Sequence, residues 1–172
     1  PADGCRLPSA KAREMQVLTP EEIQRLLIQA KEDNCFELLL LELSTGLRRG
    51  EICALQWDDL NLRTGELRVQ RQVHRIKSKL VASPPKTKAG NRSVVLPTPV
   101  LNVLKAYKET ISSRWMFPSP VSEDSPRDPA AVRKRLQTVL ERAECKKIRF
   151  HDLRHTFSTT ALEHGMDIKT LS

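Results

Sequence analysis

The run Arg149-Phe150-His151-Asp152-Leu153-Arg154-His155-Thr156-Phe157 concentrates groups that can hold an anion or move a proton. Read as a helix, positions three or four apart share a face, so His151, Arg154 and His155 project together. Leu153, Phe157 and Ala161 recur at four-residue spacing on another face and would anchor the rod in a core. An imidazole titrates near neutral pH, and a guanidinium offers a planar fork of donors that fits phosphate. A zinc reading of His151 and His155 fails, because no Glu follows His151 and no third ligand is apparent.

A second group of this kind is Thr45-Gly46-Leu47-Arg48-Arg49-Gly50-Glu51. Arg48 falls at an expected helix start, where the dipole favours anions over cations. A bound phosphate would reverse that conflict, since guanidinium and free amides would face one anion. A third is the cationic connection Pro84-Pro85-Lys86-Thr87-Lys88-Ala89-Gly90-Asn91-Arg92. Taken singly, each arginine reads as a solvated charge and His151 as a structural histidine. Their meaning depends on whether the chain brings them together.

The elements that must do so are mostly helical. Residues 1–13 read as a linker. Thr19-Pro20-Glu21-Glu22 is a capping-box start, followed by the stripe Ile23, Leu26, Leu27 and Ala30. Phe36 to Leu43 is apolar nearly all round and reads as a central helix, interrupted at Ser44-Thr45-Gly46. Between Glu66 and Pro97 the spacing turns to β: Leu67 to Ile76, Leu80-Val81 and Ser93 to Leu96 make a three-stranded antiparallel sheet. Helices follow from Thr98-Pro99 and from Asp128-Pro129, around a proline-rich loop pinned by Trp115 and Phe117. The last expected pieces are a helix from the His151 run to a Gly165 cap and a helix begun at Asp167. The fold class is α+β, mainly helical with a small antiparallel sheet.

Bulk properties narrow the partner. The 172 residues carry 29 Lys plus Arg against 21 acidic residues, a formal net charge of +8, which suits a polyanion, nucleic acid before membrane. Aromatics are only 4% of residues, which disfavours single-strand recognition by base stacking and favours duplex backbone. Cys5, Cys35, Cys53 and Cys145 lie far apart without metal-ligand spacing and read as reduced thiols. No apolar run approaches the length of a membrane span or signal peptide, so a cytoplasmic location is expected.

The Thr45–Glu51 segment, the Lys86-Thr87 hairpin and His151-Asp152-Leu153-Arg154-His155-Thr156 occur in that order within a helix–sheet–helix layout. Together they resemble the catalytic domain of tyrosine recombinases, the phage and conjugative-transposon integrase family. The resemblance covers residues 14–172 and is supported by Leu55-Gln56-Trp57-Asp58-Asp59-Leu60 and Phe117-Pro118. It implies that Arg48 and Arg154 are the two catalytic arginines, Glu51 the acid orienting Arg48, and His151 the His of the His-x-x-Arg pair. Lys86 would be the general-acid lysine, with Lys88 its rival on the same hairpin. Arg49, Lys88, Arg92, Lys147, Arg149 and His155 would face DNA. The resemblance implies that in full length such a site cleaves and rejoins duplex DNA through a 3′-phosphotyrosine, with no cofactor or metal, in a tetramer that can take a directionality factor as a further partner.

Two family features are not found in these residues. The family's nucleophilic tyrosine follows the His-x-x-Arg helix, whereas Tyr107, the only tyrosine, sits mid-chain without a motif and reads as packing. The N-terminal core-binding domain is also absent from the sequence. The expectation is therefore a C-terminally truncated catalytic domain, monomeric and inactive as given. The alternative is a DNA-binding module or regulator that keeps the fold without catalysis.

Overall fold

Helix α1 (Pro20–Glu32) begins where the capping box predicts: Thr19 Oγ1 accepts from Glu22 N at 3.2 Å, and the Glu22 carboxylate accepts from Thr19 N at 2.8 Å. The computed structural model describes residues 16–84 and 91–163, with side chains through 156. Ile23, Leu26, Leu27 and Ala30 form the buried stripe of α1, as their spacing requires. It packs on α2 (Phe36–Thr45), where Phe36, Leu38 to Leu41, Glu42 and Leu43 are all buried. Helix α2 is the spine of the core, touching α1, α4 (Thr98–Lys108) and α6 (Phe150–Glu163).

Gly46 ends α2 in the left-handed region, φ +58°, with its N–H donating to Glu42 O at 2.8 Å. The chain then turns into the short helix α3 (Arg49–Ile52) and a 3-10 turn, Trp57–Asp59. Beyond these, the sheet departs from expectation. The strand read as continuous from Leu67 to Ile76 is two, β1 (Glu66–Val69) and β2 (Gln72–Ile76). The physical reason is the buried carboxylate of Asp59. It accepts from Gln70 Nε2 at 3.0 Å and Arg71 Nη1 at 2.6 Å, so the residues between the strands are drawn off the ladder. β1 pairs antiparallel with β4 (Arg92–Val95), and β2 with β3 (Lys79–Ser83). The α+β class with small antiparallel sheets holds, but among the described residues the three expected strands are four, in two pairs.

Helix α5 (Pro129–Arg142) starts at the predicted cap, Asp128, which accepts from Ala130 N at 2.9 Å. Its Arg142 reaches back to the buried Asp33 at the end of α1 and ties the two helices. The proline-rich loop is pinned as expected, with Trp115 and Phe117 buried and Trp115 Nε1 donating to Asp124 O at 3.0 Å. Tyr107 lies between Trp57 and Phe117, ring centroids 6.1 and 5.9 Å away, and burial pushes its hydroxyl pKa up. It is a packing residue. Cys35, Cys53 and Cys145 are buried free thiols. Among the described residues no helix is long and apolar enough to cross a membrane. The expected linker, the Lys86–Lys88 hairpin tip, the Gly165 cap and the Asp167 helix lie outside the described residues, as do the side chains of Phe157 and Ala161.

Candidate active site

Glu51 organises the first half of the site. It is 2% exposed, yet its carboxylate accepts from Arg48 N (2.9 Å), Arg48 Nη1 (3.1 Å) and both terminal nitrogens of Arg92 (3.2 and 2.9 Å). Burial alone would raise its pKa, but the hydrogen bonds from Arg92 and Arg48 prevail and hold it below the usual carboxylate range. One ionised acid thus caps α3, fixes the stem of Arg48 and anchors β4. The Arg48 side chain remains 62% exposed, with donors turned to solvent beyond the Glu51 contact.

Arg92 was expected to face DNA. In the structure it pairs with the buried Glu51 while its own side chain stays 30% exposed, so it also supports Arg48 from behind. Close helix–sheet packing sets the depth of α3. A Cβ on Gly50 would lie 2.8 Å from Val73 O, so only glycine lets α3 approach β2 this closely.

The second half comes from α6. Asp152 accepts from Arg149 N (2.9 Å), closing the first turn, and from Arg149 Nε and Nη2 (3.0 and 2.9 Å). The bonds from Arg149 hold its pKa down against the opposing effect of burial. Leu153 is fully buried and Thr156 Oγ1 donates to Asp152 O at 3.2 Å, so the helix is fixed on its inner face. His151 is exposed and meets His155 edge to face, ring centroids 5.3 Å apart, so their predicted shared face is observed. The stem of Arg154 crosses the α2–α3 break, where a Cβ on Gly46 would sit 3.0 Å from its Cγ.

The two halves enclose one cleft of about 1090 Å³. Arg48, Arg49, Lys147, Arg149 and His151 all line it, bringing together residues about a hundred positions apart. Glu51 and Arg92 lie behind Arg48, and Arg154 is held at Gly46, two residues before it. Lys86 and Lys88 lie outside the described residues. The cleft also takes His74 and Arg75 from β2, and Arg133 and Lys134 from α5, which sequence reasoning did not assign to the site. Arg75 is steered there by the α5 cap, pairing with Asp128 at 2.5 Å. Nothing in local spacing signals that pairing, because the partners are 53 residues apart.

The α+β fold thus carries a cleft lined by Arg48, Arg49, Arg75, Arg133 and Arg149. Residues 16–172 match the model of the Phage integrase family, and the chain belongs to that family. It is 28% identical over 183 residues to a tyrosine recombinase XerC-like protein of Caldanaerobacter subterraneus subsp. tengcongensis, covering 92% of this chain and 46% of that protein. It is likewise 28% identical to the tyrosine recombinase XerA of Pyrococcus furiosus, over 99% of this chain and 56% of the relative. The chain therefore spans about half the length of the curated relatives it matches. Among solved structures, the Tn1549 transposon integrase in complex with transposon right end DNA shares the fold, with a TM-score of 0.76 at 21% identity over 94% of this chain and 57% of that one. The XerA recombinase crystal structure gives a TM-score of 0.71 at 24% identity, covering 96% of this chain and 56% of that one.

Proposed function

We propose that this chain is the phosphate-holding part of a site-specific DNA recombinase that breaks and rejoins duplex DNA through a 3′-phosphotyrosine. The observation that carries the reading is the convergence of Arg48 and His151 on one cleft, with Arg154 packed where the Arg48 turn begins. The guanidiniums of Arg48 and Arg154 grip the non-bridging oxygens of the scissile phosphodiester and neutralise charge as it builds in the in-line transition state. Glu51 keeps the Arg48 fork oriented. His151 handles the proton of the attacking hydroxyl, and Lys86, or its neighbour Lys88, protonates the departing 5′ oxygen. A covalent phosphotyrosine preserves the ester for rejoining, so no nucleotide triphosphate is consumed. Arg49, Lys147, Arg149 and His155 contact the flanking backbone.

Residues 1–172 hold one tyrosine, and Tyr107 is packed between two aromatic rings, so these residues alone bind DNA without cutting it. Recombination then runs in a tetramer on DNA, in the cytoplasm, with any directionality factor docking outside the cleft; residues 1–172 by themselves are monomeric. The packing of Tyr107 also supports a second reading, a DNA-binding regulator on the same fold. One experiment separates them. The intact protein carrying this domain, incubated with a nicked suicide duplex, should form a denaturant-resistant protein–DNA adduct. Arg48→Lys or Arg154→Ala should lower trapping by about 10²-fold or more, the usual loss for one anion-stabilising donor. Wild-type trapping by either variant rejects the assignment, and no adduct from any version favours the regulator.

A further inference from the structure

Helix α2 is apolar on nearly every face, and one acid breaks that pattern inside the core. Glu42 is 0% exposed, and neither of its carboxylate oxygens has a hydrogen-bond partner. A leucine there would fill the space without burying a polar group, and none of the roles assigned above uses this residue. Its position is informative. Glu42 O accepts the N–H of Gly46, the residue whose missing Cβ makes room for the stem of Arg154. The charged groups whose fields reach it are Arg154 on α6 and Glu51 on α3. The other helices packed on α2 bury apolar stripes, Ile23, Leu26, Leu27 and Ala30 on α1 and Val100, Leu101 and Leu104 on α4.

We infer that Glu42 is a positioning residue for Arg154: kept neutral inside the core, it leaves the guanidinium directed at a phosphate in the cleft, and on losing its proton to solvent it draws the guanidinium inward. The inference rests on the phosphodiester-binding reading above. Burial pushes the Glu42 carboxyl well above the usual carboxylate range, Arg154 opposes that shift, and Glu51 adds to it. Linkage then fixes the sign. A phosphate anion favours the protonated form of Glu42, so DNA affinity falls as pH rises through the Glu42 midpoint.

Carbon-13 NMR of the 172-residue chain, with the Glu42 signal assigned by its loss in Glu42→Gln, should show that carboxyl titrating far above other glutamates. Its midpoint should move higher still in Arg154→Ala, where the favourable cation is gone. Fluorescence anisotropy with a short generic duplex, at fixed ionic strength, should show affinity falling about tenfold across that midpoint, the equivalent of a one-unit linked shift. In Glu42→Gln, which cannot ionise, the ratio of affinities across the same interval should be near one. A Glu42 signal that titrates with the other glutamates, or ignores Arg154→Ala, overturns the inference whether or not DNA binds. A drop that persists in Glu42→Gln overturns it too. Failure of the duplex to bind at any pH, with the NMR behaviour intact, instead strikes the phosphodiester reading.

Discussion

Glu51 shows how one buried side chain can serve both stability and the site. Its carboxylate stays ionised in the core because donors from Arg48 and Arg92 surround it. Replacing it with Gln removes the charge that both arginines answer, and leaves the less exposed Arg92 without its ionised acceptor. Hydrogen bonds to charged groups contribute roughly 1.5–3 kcal/mol, so Glu51→Gln should lower unfolding stability by about 2 kcal/mol in neutral urea titrations. The pH dependence has a definite sign. Because the folded pKa lies below the ordinary value of 4.5, the contribution is present above that pH and is lost as pH falls through the folded value. The gap between wild type and Glu51→Gln should therefore narrow in strong acid, and a gap of unchanged width would reject this account. Asp152 shares the sign, since its bonds from Arg149 also depress its pKa, but it answers one half-exposed arginine where Glu51 answers two, which makes it the weaker contributor.

At the scale of elements, the two close-packed glycines separate stability from function. Gly50→Ala pushes a Cβ to 2.8 Å from the backbone oxygen of Val73, which cannot swing aside, so α3 must leave β2. Gly46→Ala meets the Cγ of a side chain at 3.0 Å and adds a left-handed φ of +58°, itself worth about 1–2 kcal/mol for a residue with a Cβ. The expected outcome is that Gly50→Ala lowers Tm and DNA affinity together. Gly46→Ala should lose more DNA affinity than its Tm loss explains, because it displaces Arg154. Calorimetry beside duplex binding decides it; equal proportional losses in both variants would contradict the packing. The helices around these glycines were legible in the sequence because their determinants are local: Thr19 and Glu22, Asp128 and Pro129, and Gly46 at a helix end. The split between β1 and β2 was not, since it depends on Asp59, which reaches Gln70 and Arg71 from 11 and 12 residues away. Glu42 was hidden for a related reason, because spacing alone does not tell the buried acid of an apolar helix, Glu42, from its half-buried one, Glu37.

For the whole molecule, the net charge of +8 matters less than where the fold gathers it. The motifs around Arg48 and His151 could be joined in advance only through family resemblance, for helical spacing says nothing about segments so far apart. The resemblance assigned no site role to α5, whose Arg133 and Lys134 line the cleft. That difference can be measured. Each phosphate neutralised on a duplex contributes about −0.9 to the slope of log affinity against log salt, so ~5 contacts give roughly −4 to −5. If the α5 pair belongs to the DNA footprint, replacing both Arg133 and Lys134 with Ala should flatten the slope by about 2 and weaken binding to unrelated sequences equally. Lys105 and Lys108 on α4 do not line the cleft, and Lys108 stacks over the Trp57 ring. The matching Lys105→Ala, Lys108→Ala chain removes the same formal charge and should leave the slope unchanged. Equal flattening in both double variants would mean that net charge alone draws the duplex, and that the cleft has no privileged share in holding it.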